Sequence, residues 1–388
     1  MTTTESTMFH PVGSMPKGMT AEAAQDLVLK EVAECLPFGF GSCETDEKQV
    51  DWIVPVIRDF RKNPNFVETR HGDWQTFDDV LNFKLRWGAS FTGADLNLDL
   101  YDDFGRHWAN IRGLLRDHKR SDLPYIQRWS TDFNFAYFAF GKFRTIFRQR
   151  RYVRPFLEAL KREVQAICDR AVSAPQPDAD RPRTPILVQV EFPGELVVLT
   201  MSRAKAPAWL RPLVSRLAVG YLAQQVLRNV WAVPAQAATG LHACDGNLNR
   251  ESVIPPEIAA GVMLVNKILE GWPAAPRWAT PSAADRAVPR YVHFPLADAN
   301  TPPSLREEDY AALAGLRLPP GCAFVAGILH EDLTPDDARM ILGWIRRYVP
   351  GPVHVSGYCG FGRCTVEATT TMLRTAAEVC RPNTEVIA

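Results

Sequence analysis

The chain has 388 residues, 46% of them hydrophobic, with 44 Lys plus Arg balanced by 44 Asp plus Glu. That length and apolar content suffice for one large core or two modest ones. The zero formal charge excludes an overall field that would draw the chain to nucleic acid or an anionic membrane surface. The start, Met1-Thr-Thr-Thr-Glu-Ser-Thr, lacks the basic and apolar regions of a secretory signal. The most apolar stretch, Ile186 to Met201, carries Glu191, Pro193 and Glu195 and is too polar to span a bilayer. A cytoplasmic location is therefore expected, where eight scattered cysteines stay reduced and suit metal or nucleophile roles.

In chain order, eight short apolar or β-branched runs read as strands: Met8 to Ser14, Phe38 to Glu44, Tyr125 to Thr131, Ile186 to Phe192, Thr239 to Cys244, Tyr291 to Leu296, Ala323 to Leu329 and Val353 to Cys359. Between them, apolar residues recur every three or four positions over Ala21 to Cys35, Arg154 to Val172, Leu210 to Val230, Pro256 to Leu269, Pro335 to Tyr348 and Val366 to Val379, which predicts helices. Strands alternating with helices predict an α/β fold, a single (β/α)8 TIM-like barrel over residues 1–388. Long insertions are expected near 65–115, as a helical excursion or an extra hairpin, and near 271–289, where Pro and Ala are dense. Ser173 to Pro185 reads as a solvated loop, and a domain split there would leave four strands on each side without a closed sheet.

In such a barrel the active site forms where the strands end, so the polar residues at those ends can be tested as a group. The fifth run ends in His242 and Cys244, two residues apart on an extended segment and so on the same side. The eighth ends in Cys359 before a glycine-rich turn. One imidazole and two thiols suit a tetrahedral Zn2+ with an open fourth position, the mark of a catalytic site. Singly, each has a plainer account as a packed cysteine or a structural histidine. Cys364 rivals Cys359 as third ligand but falls beyond the turn.

Other residues gather at the same ends. Glu191 closes an apolar run and needs a cation, either an interior Arg or Lys or, together with Glu44, the ammonium of an amino-acid substrate. His330 follows the seventh run and fits a proton shuttle or a packed, supporting histidine. Five arginines from Arg144 to Arg154 read as a solvated face, with a phosphate or polyglutamate site as the alternative. Aromatic residues from Trp129 to Phe140 read as core or lid.

These motifs resemble the catalytic barrel of cobalamin-independent methionine synthase and its wider superfamily, which includes uroporphyrinogen decarboxylase. Val12-Gly13-Ser14-Met15-Pro16 resembles that family's Ile-Gly-Ser-Phe-Pro, Cys43-Glu44 its Gly-Glu segment, and Val188-Gln189-Val190-Glu191 its Ile-Gln-Ile-Asp-Glu-Pro. His242-Ala243-Cys244 is similar to its His-Met-Cys, and Cys359-Gly360-Phe361-Gly362-Arg363 to its Cys-Gly-Leu-Lys-Thr-Arg. The resemblance implies zinc held by His242, Cys244 and Cys359, a thiol amino acid touched by Ser14, Glu44 and Glu191, and His330 as the catalytic histidine. It also marks departures. The folate-binding N-terminal barrel is absent, Asp-Glu-Pro has become Glu191-Phe-Pro, and the family's fourth ligand, a glutamate, has no match, with His293 the nearest donor.

The function expected is zinc-dependent methyl or alkyl transfer from a donor, with folate one candidate, to a small-molecule thiol. A zinc-dependent lyase or hydrolase on the same barrel and a non-catalytic descendant are the alternatives. No nucleic-acid or membrane partner is expected.

Overall fold

Seven short strands pair in parallel to form one sheet, and helices on its outer side connect them. The computed structural model describes residues 6–45, 53, 56, 58–72, 80–174, 185–244, 247–248, 251–252, 257–272 and 288–381. The strands in chain order are β1 (Phe40–Gly41), β2 (Phe66–Arg70), β3 (Asn82–Leu85), β4 (Tyr125–Ser130), β5 (Ile186–Glu191), β6 (Ala237–His242), β7 (Asn247–Leu248), β8 (Glu251–Ser252), β9 (Tyr291–Pro295), β10 (Ala323–Leu329) and β11 (Val353–Gly357). The sheet runs β1-β4-β5-β6-β9-β10-β11, while β2 with β3 and β7 with β8 form small antiparallel pairs. Most of the expected loop at 173–185 and of the insertion at 271–289 lies outside the described residues.

The closed ring of eight strands needs correction. The run Met8 to Ser14 makes one parallel bridge, Phe9 to Val355, in place of a strand. Pro11 has no N–H to donate, and Gly13 stands at φ 143°, so a ladder cannot propagate through the run. It nevertheless fills the space between the two sheet edges. His10 N donates to Val355 O (2.9 Å) on one side, and on the other Phe9 N donates to Cys35 O (2.8 Å) and Met15 N to Glu44 O (2.9 Å). The second run shrinks to two residues because Gly39 (φ 149°) and Cys43 (φ 53°) leave extended geometry on either side of it.

Alternation along the strands sorts side chains into two layers. Ile126, Leu187, Tyr291, Ala323 and Val325 pack together on the inner side. Residues of opposite parity, such as Trp129, Val188, Val190, Phe294 and Phe324, join a core that continues under the helices from Phe9 to Cys380. Helices Ala21–Val32, Asp132–Phe147, Pro335–Tyr348 and Val366–Cys380 each open on a threonine whose side chain accepts a backbone N–H of the first turn. Such a cap contributes about 1 kcal/mol.

The segment 65–115 holds both a hairpin, β2 with β3, and the helix Leu100–Asp117. Apart from Trp129 on β4, the aromatic cluster belongs to helix Asp132–Phe147 and packs in or against the core: Phe140 stacks on Phe60 and Phe66, and Phe135 on Phe156. Part of the arginine run ties the chain to itself, with Arg144 donating to Phe140 O, Arg151 to Arg86 O and Ala89 O, and Arg154 pairing with Glu158. No helix among the described residues is long and apolar enough to cross a membrane.

Two substitutions test this packing. Gly261 lies buried in helix Ile258–Gly271, and a Cβ there would stand 2.0 Å from Phe294 Cζ. Alanine gains about 1 kcal/mol in helix propensity, yet overpacking costs about 1–3 kcal/mol. Gly261→Ala should therefore lower stability to urea, and a rise would show that helix and sheet do not meet this way. Glu195 is fully buried in the first turn of helix Pro193–Lys205, and burial pushes its carboxyl up to about 8. From about pH 4.3 to 8 the unfolded chain has lost a proton the native state keeps, so stability falls as pH rises, by at most about 1.4 kcal/mol per unit. Glu195→Gln should remove that part of the slope from the urea midpoint between pH 5 and pH 8.

Candidate metal centre

The ends of β6 and β11 bring His242, Cys244 and Cys359 together, with one ligand atom from each within 4.8 Å of the others. Cys244 Sγ lies 3.6 Å from Cys359 Sγ, and Cys359 Sγ lies 3.9 Å from His242 Nε2. Two sulfurs bound tetrahedrally at about 2.3 Å from one zinc stand roughly 3.8 Å apart, and a sulfur and an imidazole nitrogen roughly 3.6 Å. The donor set and its spacing fit zinc with three protein ligands.

The imidazole is oriented from behind. His293 is the register partner of His242, on the neighbouring strand. Its Nε2 lies 2.9 Å from Gly357 O, an acceptor only, so Nε2 carries the proton and Nδ1 is left as an acceptor. Burial, with His242 and His10 nearby, holds the His293 pKa well below the usual imidazole range and keeps the ring neutral. Nδ1 of His293 lies 2.6 Å from Nδ1 of His242, which must therefore be the protonated nitrogen. The lone pair of His242 Nε2 then faces the two thiols. His293 is thus spent between His242 and Gly357, and it is not one of the three converging residues.

Two glycines make room for this arrangement. A Cβ at Gly327 would stand 2.9 Å from His293 Nε2 and 3.0 Å from Gly357 O, inside the bond that fixes the ring. At Gly360 it would stand 2.2 Å from Ser14 Oγ. Phe361 N donates to Ser14 O (2.7 Å), so the first run is fastened to the turn that presents Cys359. A hydrogen bond from Cys244 and the neighbouring His242 hold the Cys359 thiol well below its usual range, although burial and Glu191 push the other way.

Glu44 and Glu191 converge on Arg128, which the sequence reading did not single out. Arg128 Nη1 donates to Glu44 Oε2 (2.8 Å), while Nε and Nη2 donate to the two oxygens of Glu191 (2.8 and 3.1 Å). This pairing holds Arg128 well above its usual range against burial, and burial raises Glu44 while Arg128 opposes that rise. Cys43, in the left-handed region, turns the chain at Glu44. Gln189 completes the network: its Nε2 donates to Val12 O and Glu191 Oε1, and its Oε1 accepts from Tyr291 OH and His10 Nε2. Burial drives the His10 pKa down to about 3, so that ring is neutral. The available signal for Arg128 was parity: it lies two residues after Ile126, on the face Glu191 also occupies.

His330 follows β10 and is buried. Its Nδ1 accepts from Asp332 N (3.2 Å), with Asp332 Oδ2 at 3.4 Å, and its Nε2 has no partner among the described residues. The ring faces Tyr358, the residue before Cys359, at 6.3 Å between centroids. Cys364 is bonded to Tyr358 OH (3.4 Å) and stands outside the converging trio.

The protein should bind about one zinc per chain by elemental analysis, and Cys244→Ser or Cys359→Ser should lose it. His293→Phe should keep the site but weaken zinc about 10–100-fold, the usual effect of removing a group that orients a ligand. Loss as complete as with Cys244→Ser would make His293 itself a ligand.

The sequence matches no known family profile and no curated protein. Among solved structures, the chain is similar to a B12-independent methionine synthase from Shewanella sp. W3-18-1 in complex with selenomethionine, at 11% identity and TM-score 0.55, covering 96% of each chain. It also matches the putative vitamin-B12 independent methionine synthase from Listeria monocytogenes (10% identity, TM-score 0.45, 95% of each chain). A methyltransferase from Methanosarcina mazei matches at 11% identity and TM-score 0.39, over 96% of this chain and 94% of that one. At such identities the likeness is one of fold, and the chain shares its fold, over 96% of its length, with the Shewanella methionine synthase structure.

Proposed function

We propose that this chain, as one barrel-like domain over residues 1–388, is a zinc-dependent enzyme that transfers a methyl or alkyl group to a small-molecule thiol. The observation that carries the reading is the convergence of His242 Nε2 with the sulfurs of Cys244 and Cys359, with the imidazole tautomer fixed from behind. Three ligands leave a fourth position for substrate. The shared fold with the Shewanella structure supports the same reading.

Zinc bound there supplies the positive charge that keeps an acceptor thiol deprotonated at neutral pH. The remaining tasks fall to the chain. Ser14 and the cluster of Glu44 and Glu191 about Arg128 line the place of the substrate beside the metal ligands; Glu191 is the register partner of His242. His330, with Nδ1 against Asp332 and Nε2 without a partner among the described residues, exchanges a proton with the leaving group of the donor. A methylated folate or another alkyl donor would meet the thiol there, and the cytoplasm is the proposed setting.

X-ray absorption on the zinc-loaded protein should show a further sulfur in the zinc shell when homocysteine or another aliphatic thiol is added. A screen of methyl and alkyl donors should then give turnover that disappears with the metal. His330→Gln should lower that turnover about 10²–10⁴-fold with zinc content unchanged. Full activity in metal-free protein would overturn the proposal, and a zinc shell indifferent to thiols would favour a lyase or hydrolase.

A further inference from the structure

We propose that Arg128 decides the class of acceptor: a thiol that carries no ammonium group. This rests on the thiol-transfer reading above and concerns the substrate end that Glu44 and Glu191 face.

The sequence leaves two partners open for such carboxylates, a substrate ammonium or an interior Arg or Lys. Here a cation of the protein already lies between them. Arg128 spends three of its five N–H groups on Glu44 Oε2 and both oxygens of Glu191, all within 3.1 Å. Glu191 Oε1 also accepts from Gln189 Nε2. An incoming ammonium would bring three more donors and a second positive charge to acceptors largely taken, within reach of a like charge.

The guanidinium is not free to step aside. A Cβ at Gly13 would stand 2.7 Å from Arg128 Cδ, so the first run closes over the arginine stem. Both carboxylates are buried, and each would be left without its cation if the arginine withdrew. Two N–H groups of Arg128 remain, one on each Nη, and they favour a substrate whose polar end accepts hydrogen bonds. Because Glu191 and His242 are register partners, that polar end would lie next to the metal ligands. The class is a short aliphatic thiol ending in an acceptor such as a carboxylate.

Three thiols of matched length separate the possibilities, measured by calorimetric titration of the zinc-loaded protein, with X-ray absorption reporting the sulfur in the zinc shell. They are homocysteine, 4-mercaptobutyrate, which has the same chain without the amino group, and 3-aminopropane-1-thiol, which has the amino group without the carboxylate. 4-Mercaptobutyrate should bind about tenfold tighter than homocysteine, with the aminothiol weakest. Arg128→Met should abolish or reverse that order with zinc content unchanged, whereas Arg128→Lys, which keeps the charge, should preserve it. The wild-type ranking decides even if Arg128→Met fails to fold. Equal or tighter binding of homocysteine overturns this proposal and leaves the zinc-thiol function standing. If no thiol enters the zinc shell, the function falls and this inference falls with it.

Discussion

One backbone carbonyl, that of Gly357, determines the chemistry of the site. It can only accept, so it fixes the proton on His293 Nε2, which fixes the proton on His242 Nδ1, which leaves His242 Nε2 as a lone pair facing two sulfurs. The relay crosses from β11 over β10 to β9 and on to β6, and needs those four strands in register. Gly327 on β10 must lack a Cβ for it to pass. A sheet slipped by one residue would turn each of these side chains to the opposite face and leave buried polar atoms unpaired. Sheet register and the presentation of the His242 lone pair are therefore the same constraint seen at two scales.

The same accounting governs the rest of the inner layer. A barrel interior that held only apolar side chains would need no Gln189, yet here Gln189 makes four hydrogen bonds and joins the first run to β5 and β9. Arg128 answers two buried carboxylates at once. A buried cluster of this kind is weak as a source of stability, because desolvation offsets much of the attraction. Its value lies in placement: it holds β4, β5 and the segment at Glu44 in one arrangement at the end where His242 lies.

Much of the fold is legible in the sequence because its signals agree. Ala323 to Leu329 and Pro335 to Tyr348 read as strand and helix and have those bounds in the structure, one an unbroken apolar run, the other opened by a threonine cap and a proline. Helix Asp132–Phe147 gave no such signal. Phe133 and Phe135, nearly opposite each other around the helix, are both buried, so the apolar period that marks a half-exposed helix is lost. The first run reads as a strand by composition, but Pro11 and Gly13 decide against a ladder. At the site, residue types pointed to His242, Cys244 and Cys359, while the difference between a ligand and its support could not be read. His293 and His242 are separated in that respect only by register, which a single sequence does not display. Arg128 was hidden for a related reason, since a charged residue inside an apolar strand makes sense only when the carboxylates opposite it are known.

The fastening of Ser14 to the turn after Cys359 has a consequence for how the protein is made. Ser356 on β11 donates to His10 O across a separation of 346 residues, and Phe361 N reaches Ser14 O close by. Contacts of such range close late, after shorter loops have formed. On a ribosome the segment bearing Ser14 leaves the exit tunnel long before the one bearing Cys359. In the interval His242 and Cys244 stand without the third member of their trio. Completion of the trio therefore waits on the docking of β11, and two soft donors stay uncovered until that strand arrives.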